Sequence, residues 1–267
     1  MTSDRFKGTA WHYARYRSPY PGELLDIAVE KFGLDGSGRL LDLGCGTGHL
    51  AIPLSRYFQE VIGMDPEPEM LTEAARLSNG MGISNIRWLT GGSFDLARMK
   101  NELGAFRLVS IGSAFHWMDR DATLDLLADM VEPSGGIAVI GTSSVATIWG
   151  GEERWQKVVK AVIQKWLGTE RRAGADATYS HPSERHETVI ARSAFGSTHQ
   201  VEIKRNRLMT VDDILGGLYS TSFASKAVLG DNQPAFEEEL RNALLGVTPS
   251  GRFLIEEEHE GIFAWLR

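Results

Sequence analysis

The first 150 residues alternate between short apolar stretches and longer stretches with the spacing of amphipathic helices. Between Gly22 and Phe32 the apolar residues Leu24, Leu25, Ala28 and Val29 share one side, which predicts a helix. The other elements predicted in this part are strands at 39–43, 61–64, 86–89, 106–111 and 136–141 and helices at 48–57, 67–79 and 119–130. Strands that alternate with helices of about 10–15 residues predict a parallel sheet with right-handed crossovers.

The second half of the chain breaks this alternation. Residues 143–199 contain no obvious core strand, but they include a predicted helix at 152–167 and a polar stretch at 168–185. Further strands are predicted at 201–208 and 252–266, with helices at 211–219 and 234–245 between them. The pattern therefore predicts an α/β fold: a seven-stranded, mostly parallel sheet with helices on both faces and a helical cap inserted after strand five.

Composition narrows the class of protein. The chain of 267 residues is 42% hydrophobic and 24% charged, which is typical of a globular protein, and its 35 acids against 28 bases give a net charge of −7. That balance is unfavourable for nucleic-acid binding, and no run of about 18 apolar residues predicts a membrane span. Met1–Tyr20 lacks the apolar core of a signal peptide, and Cys45 is the single cysteine. We therefore expect a cytoplasmic protein without disulfides, a monomer or a homodimer.

The strongest chemical signal is the glycine-rich turn after the first predicted strand. Asp42 precedes Gly44, Gly46 and Gly48. Asp65, which lies 23 residues after Asp42, ends the next predicted strand. Alternate glycines let the backbone turn sharply and let a ligand approach without an intervening Cβ. A carboxylate about 20 residues past such a turn is placed to accept the hydroxyl groups of a ribose.

Two nucleoside ligands are compatible with this turn. The segment from Gly46 to Ala51 fits the dinucleotide pattern G-x-G-x-x-A, so NAD is one of them. Counted from Gly44, however, the sixth position is His49 rather than glycine or alanine. Asp42 would repel a pyrophosphate, whereas it would attract the cationic ammonium and sulfonium of S-adenosylmethionine (SAM). The turn therefore favours SAM.

These residues resemble the motifs of class I SAM-dependent methyltransferases. Asp42–Gly48 resembles their motif I, Asp65 matches the acid that ends their second strand, and 92–95 falls where that family contacts adenine. The segments 113–117 and 13–21 are similar to the small-molecule subgroup that includes trans-aconitate methyltransferases, whose opening segment folds over the cofactor. The resemblance covers about residues 5–142 well. One departure is the glycine pair at 91–92, where an aspartate commonly begins the adenine motif.

The resemblance implies a Rossmann-like methyltransferase domain over 1–267 and assigns roles along it. Its parts would be an N-terminal lid and helix (1–37), the SAM-binding core (38–142), a cap that contacts the substrate (143–199) and the C-terminal part of the sheet with additional helices (200–267). The expected cofactor-binding residues are Tyr13, Arg17, Asp42, Gly44, Cys45, Gly46, Gly48, Asp65, Pro66, Met70, Ser93, Phe94 and Ser113. The expected substrate-binding residues are Tyr16, Trp117 and His181. No metal site is expected, because Glu257 and His259 lack a third ligand.

The reaction implied is an in-line displacement on a small-molecule acceptor. A base is needed only where the acceptor must lose a proton, and His116 after strand four is the expected general base. Residues 231–260 hold eight acids and two bases, which favours an amine acceptor such as an amino sugar in antibiotic biosynthesis. The alternative is O-methylation of a carboxyl or hydroxyl group of a small organic acid, for which Arg154, Arg171 and Arg172 are available. Two other classes stay open: an NAD-dependent oxidoreductase and a non-catalytic SAM-binding domain.

Overall fold

The structure is a computed structural model that describes residues 4–142, 151–174, 178–179 and 182–266. The strands of the described residues form one seven-stranded sheet. In chain order they are β1 (Arg39–Leu43), β2 (Glu60–Asp65), β3 (Ile86–Thr90), β4 (Phe106–Gly112), β5 (Val131–Thr142), β6 (Ser197–Thr210) and β7 (Arg252–Trp265).

The order of the strands across the sheet is β3-β2-β1-β4-β5-β7-β6. The pairings β3-β2, β2-β1, β1-β4 and β4-β5 are parallel. The sheet is thus mostly parallel, contains one antiparallel hairpin and confirms the predicted fold class. The chain moves outward from β1 to β3 and then returns to β4 on the other side of β1. This reversal beside β1 is the position where open α/β sheets bind ligands at the carboxyl ends of their strands.

Eleven α-helices are described along the chain, α1 to α11. Their bounds are Ala10–Tyr16, Gly22–Phe32, Ala51–Leu54, Pro68–Gly80, Leu96–Leu103, Arg120–Ala128, Arg154–Leu167, His186–Arg192, Val211–Tyr219, Lys226–Leu229 and Gln233–Val247. Among the described residues, no helix has the length and apolar character needed to cross a membrane.

One predicted helix is much shorter than expected. The helix predicted at 48–57 begins only at Ala51, ends at Leu54 and continues as one 3-10 turn over Ser55–Tyr57. Gly48 has φ +86°, which is incompatible with a right-handed helix. The ligand-binding turn therefore extends into the region where the sequence pattern predicted the first helical turn.

The described residues cluster into two compact units, each with its own apolar core. Of the described residues, the core unit comprises 19–141, 182–203 and 259–266, and the second unit comprises 4–18, 142, 151–174, 178–179 and 204–258. In the core unit, Leu41 and Leu43 of β1 pack on one face of the sheet while Leu40 packs on the other. Both faces are thus buried, as is usual for parallel sheets. The predicted division into lid, core, cap and C-terminal part stays a prediction.

Candidate active site

The turn after β1 needs glycine for two separate reasons. Gly44, Gly46 and Gly48 have φ of +73°, +52° and +86°, a region that favours glycine. A Cβ on Gly44 would also lie 2.6 Å from the Cβ of Ala114, which follows β4. The N–H groups of Gly44 and Cys45 donate to the carbonyl of Met64, at 2.8 Å and 3.0 Å. The turn is therefore held between the carboxyl ends of β2 and β4.

Asp42 places a carboxylate beneath this turn. Its Oδ1 accepts a hydrogen bond from the Ser110 hydroxyl at 2.7 Å, and its Oδ2 accepts one from the backbone N–H of Ala51 at 3.0 Å. Burial raises the pKa of Asp42 to about 7, against the opposing effect of these two bonds, and the negative charge of Asp65 adds to the rise. An ionised Asp42 is thus stabilised by any cation that binds at the turn.

Asp65 places a second carboxylate at the carboxyl end of β2. Its Oδ2 accepts a hydrogen bond from the Gly46 N–H at 2.8 Å, and its Oδ1 accepts one from the Glu67 N–H at 2.9 Å. Burial raises the pKa of this carboxyl, while the two bonds oppose the rise. The side chain is thereby fixed directly beside the glycine turn, where the sequence predicts a ribose-binding carboxylate.

The turn also carries a buried polar atom that has no partner. Thr47 is 1% exposed, and its Oγ1 makes no hydrogen bond with any residue that the structure describes. Leaving a buried hydroxyl unpaired costs about 1–3 kcal/mol, so an orphan of this kind is expected where a ligand supplies the missing partner. This hydroxyl, the glycine turn and the two carboxylates fit a cationic nucleoside such as SAM. Thr47 lies inside the glycine motif, but the motif assigns no role to this position.

The segment after β4 contains a strained backbone position. Ser113 has φ +50° and is the one non-glycine residue with positive φ in the ranges described. Its N–H donates to the Ile140 carbonyl at 2.8 Å, and its hydroxyl accepts from the Tyr20 hydroxyl at 2.9 Å. Strained residues of this kind cluster at functional sites. Tyr20 is a further site residue that sequence reasoning had not singled out, since its partner is 93 residues away.

His116 and Trp117 lie just beyond Ser113, on the 3-10 turn Phe115–Trp117. Both side chains are half-buried, and their ring centroids are 4.8 Å apart. Phe115 is buried and anchors the turn in the core. His116 is therefore held at the same edge of the sheet as the glycine turn, and its role as a general base stays a prediction.

The predicted adenine segment is partly exposed. Phe94 is 61% exposed, on the 3-10 turn Ser93–Asp95. The carboxylate of Asp95 already accepts the Gly92 N–H at 3.0 Å and pairs with Arg98 at 2.9 Å. The Asp95 carboxylate, which can accept further hydrogen bonds, and the backbone are thus both candidate partners for an adenine amino group.

Three other predicted cofactor contacts differ in their exposure. Met70, in α4, is 2% exposed and packs as a core residue, while Pro66 is half-buried. Burial, together with the charges of Asp65 and Asp42, raises the pKa of the Cys45 thiol well above its ordinary value. Cys45 is therefore a packing residue of the turn rather than a nucleophile.

The N-terminal candidates lie in the second unit. Arg17 stacks on Tyr13, with its Cζ 4.9 Å from the ring centroid, and its Nε donates to the Ser220 hydroxyl at 2.9 Å. Tyr16 packs directly against Gly216, where a Cβ would come within 2.4 Å of the ring. Their closure over the cofactor stays a prediction, and His181 lies outside the described residues.

Comparisons with known proteins agree with the geometry of the turn. Residues 40–135 match a family described as a methyltransferase domain. A Saccharomyces cerevisiae protein named as a probable S-adenosylmethionine-dependent methyltransferase is 30% identical over 128 residues, 48% of this chain and 43% of that protein. The ubiquinone biosynthesis O-methyltransferase of Azorhizobium caulinodans is 26% identical over 161 residues, 52% of this chain and 62% of that protein. The alignments thus span less than two thirds of either relative.

A solved structure shows the same fold. It is a SAM-dependent methyltransferase from Thiobacillus denitrificans in complex with S-adenosyl-L-homocysteine, with a TM-score of 0.50, 14% identity and 96% of both chains covered. At 14% identity, this likeness shows the fold alone. Residues 40–135 are thus similar to methyltransferase domains. The narrower resemblance to trans-aconitate methyltransferases stays a prediction.

Proposed function

We propose that this chain transfers a methyl group from SAM to a nitrogen or oxygen atom of a small molecule. The observation that carries the proposal is the pair of buried carboxylates, Asp42 and Asp65, at one glycine turn. No lysine or arginine in the described ranges contributes to the pKa of either group. Such a turn is complementary to a cationic nucleoside and repels a diphosphate.

The residues at the turn have separable tasks in this proposal. Asp65 would accept hydrogen bonds from the ribose hydroxyls. Asp42 would balance the positive charge of SAM, and the Thr47 hydroxyl would form a hydrogen bond with the ligand. SAM, when bound, supplies an electrophilic methyl group on a sulfonium. The chain's own contribution is to align the acceptor with that methyl group and to exclude water, which can supply roughly 7–11 kcal/mol of the barrier.

His116 is the residue proposed to remove a proton from the acceptor. Its half-buried ring is held by Trp117 on a short turn whose other residue, Phe115, is anchored in the core. A histidine changes its charge near neutral pH, which suits an acceptor that must lose a proton at that pH. A carboxylate acceptor would make this task unnecessary.

The acidic residues of 231–260 give less support to an amine acceptor than their number suggests. Glu237 is bound by Arg241 at 2.8 Å, Glu239 by Lys165 at 2.7 Å, and Glu257 by Arg207 at 3.2 Å. Carboxylates that are paired within the protein do not attract a polycationic substrate. We therefore propose O-methylation of a small organic molecule as the first candidate. An amine, such as an amino sugar, is the second candidate acceptor, because the net charge of −7 favours a cationic substrate.

An acceptor screen tests the proposal directly. Purified protein would be incubated with SAM and with small carboxylic acids, phenols, alcohols and amino sugars, and release of S-adenosylhomocysteine would be measured. We expect turnover with an oxygen acceptor. Turnover with amines alone would refute the O-methyl assignment. SAM binding with no turnover on any class would favour a non-catalytic binding domain, and tighter binding of NADH than of SAM would overturn the cofactor.

The role of His116 is tested with the acceptor found in that screen. If the acceptor has to lose a proton, His116→Ala is expected to lower kcat about 10²–10⁴-fold and to remove the acidic limb of the pH profile. The SAM dissociation constant should change by less than about 2-fold. His199→Ala is the matched control. Unchanged kcat at every pH would show that His116 is not the base.

A further inference from the structure

The second unit contains two arginine side chains that converge on one short segment. The guanidinium of Arg171 lies against two rings, with its Cζ 4.3 Å from the centroid of Tyr179 and 5.0 Å from that of Phe223. Arg17 donates to the hydroxyl of Ser220 at 2.9 Å and to its carbonyl at 3.3 Å. Both cations therefore lie along the segment from Ser220 to Phe223, which is buried.

Neither arginine has a carboxylate partner among the described residues. The Nε of Arg171 is buried and makes no hydrogen bond there, and the hydrogen bonds of Arg17 go to neutral groups of Ser220. Other arginines of the second unit differ: Arg241 pairs with Asp212 at 2.6 Å, and Arg207 pairs with Glu257. The pair of Arg17 and Arg171 thus carries positive charge that the described protein does not neutralise.

This arrangement is unfavourable unless an anion completes it. Burial and, less strongly, the positive charge of Arg17 lower the pKa of Arg171, while Tyr179 opposes them. Both effects express a cost of holding the two charges in a partly dry environment. A guanidinium presents N–H groups in a planar fork that matches a carboxylate, and the contacts with the rings of Tyr179 and Phe223 hold the Arg171 guanidinium in place.

We propose that Arg171, together with Arg17, forms a binding site for the carboxylate of a small organic molecule. The site lies wholly within the second unit and does not depend on the proposed methyl transfer. Its two arginines attract anions, whereas the negatively charged glycine turn attracts cations. Arg17 is also a predicted SAM contact, and SAM itself bears a carboxylate, so the test must distinguish SAM from an independent organic acid.

The test is calorimetric titration of the full chain with succinate in low salt and without SAM. Succinamide is the neutral control ligand, and inorganic phosphate is the comparison anion. We expect succinate to bind, succinamide not to bind, and added sodium chloride to weaken the binding. Arg171→Gln should weaken succinate at least about 10-fold, since a hydrogen bond to a charged group contributes about 1.5–3 kcal/mol.

Arg172→Gln is the matched control variant. Arg172 is the next residue in the chain, and its Nε donates to the Leu167 carbonyl. The control should leave succinate affinity within about 2-fold, and Arg171→Lys should fall between wild type and Arg171→Gln because it keeps the charge but loses the planar fork. Far-ultraviolet circular dichroism would confirm folding. If Arg171→Gln does not fold, Arg171→Lys and Arg17→Gln carry the test.

Several outcomes would overturn the site. They are no succinate binding by the wild type, equal binding of succinamide, or equal loss in Arg172→Gln. Phosphate binding that depends on Arg171, with succinate inert, would refute the carboxylate assignment. A loss of SAM affinity in Arg171→Gln with no effect on succinate would show that the anion is the carboxylate of SAM. Loss of succinate binding with SAM affinity retained supports the proposal, whatever the acceptor screen shows.

Discussion

At Asp42, the requirements of ligand binding and of folding stability oppose each other. Burial raises its pKa to about 7, far above the ordinary value of an aspartate. Between about pH 4 and pH 7 the folded protein keeps a proton that the unfolded chain has lost. Stability contributed by this group is therefore greatest at low pH and falls as the pH rises toward 7. The cost of the ionised form at neutral pH is what a bound cation would offset.

We expect Asp42→Asn to be more stable than the wild type at pH 8 without ligand. The gain in the melting temperature should shrink on acidification and disappear near pH 4, where both forms of the protein carry a neutral side chain at position 42. Thermal denaturation of both proteins across this pH range measures it. Because a neutral amide no longer attracts the cationic donor, SAM affinity should fall in the same variant at pH 8. A variant less stable than the wild type at pH 8 would contradict this account of Asp42.

Asp65 is expected to act on affinity more than on stability. Asp65→Asn should raise the SAM dissociation constant about 10–100-fold, because charged hydrogen bonds to the ribose are each worth about 1.5–3 kcal/mol. Glu60→Gln, at the opposite end of β2, removes a charge from the same strand. In the wild type, Glu60 pairs with half-buried Arg39 at 2.6 Å. Titration calorimetry should show no change for Glu60→Gln. Equal SAM affinity in both variants would refute the ribose assignment.

At the scale of one element, the turn after β1 combines backbone strain with close packing. We expect Gly44→Ala to destabilise the protein by more than about 2 kcal/mol, because the new Cβ would meet Ala114 at 2.6 Å in addition to the positive φ. Gly36→Ala is the control: its φ is +94°, but a Cβ there meets nothing within 4 Å. Urea denaturation should show a smaller loss for Gly36→Ala. Equal losses would mean that backbone strain alone limits the turn.

Elements with strong periodicity or clear boundary residues could be predicted from the sequence almost to the residue. The helix Gly22–Phe32, the strand Arg39–Leu43 and the helix Val211–Tyr219 have the predicted bounds. The helix Leu96–Leu103 was missed, although its buried residues Leu96, Met99 and Leu103 have helical spacing. That signal was present, but no helix was predicted between the strands at 86–89 and 106–111.

Features of the site that depend on distant contacts could not be predicted. The positive φ of Ser113 and its bond to Tyr20 join residues 93 positions apart, and the orphaned hydroxyl of Thr47 is defined only by its surroundings. Asp42 and Asp65 could be predicted because a motif fixes their place relative to the turn. The same motif says nothing about the partners of the acids in 231–260, whose pairing with bases changes the preferred acceptor.

For the whole molecule, the class of cofactor determines which ligand stabilises the folded state against unfolding. A ligand that binds only the folded state stabilises it by about 2.7 kcal/mol at 100 times its dissociation constant. For a chain of 267 residues this corresponds to a rise of roughly 5–10 °C in the melting temperature. We expect SAM and S-adenosylhomocysteine to produce it in scanning calorimetry, whereas NADH at the same concentration should leave the transition unchanged. Asp65→Asn should require a proportionally higher SAM concentration for the same rise, since the shift depends only on the ratio of ligand to dissociation constant. A rise with NADH and none with SAM would place a diphosphate at the turn, against the electrostatics of Asp42 and Asp65.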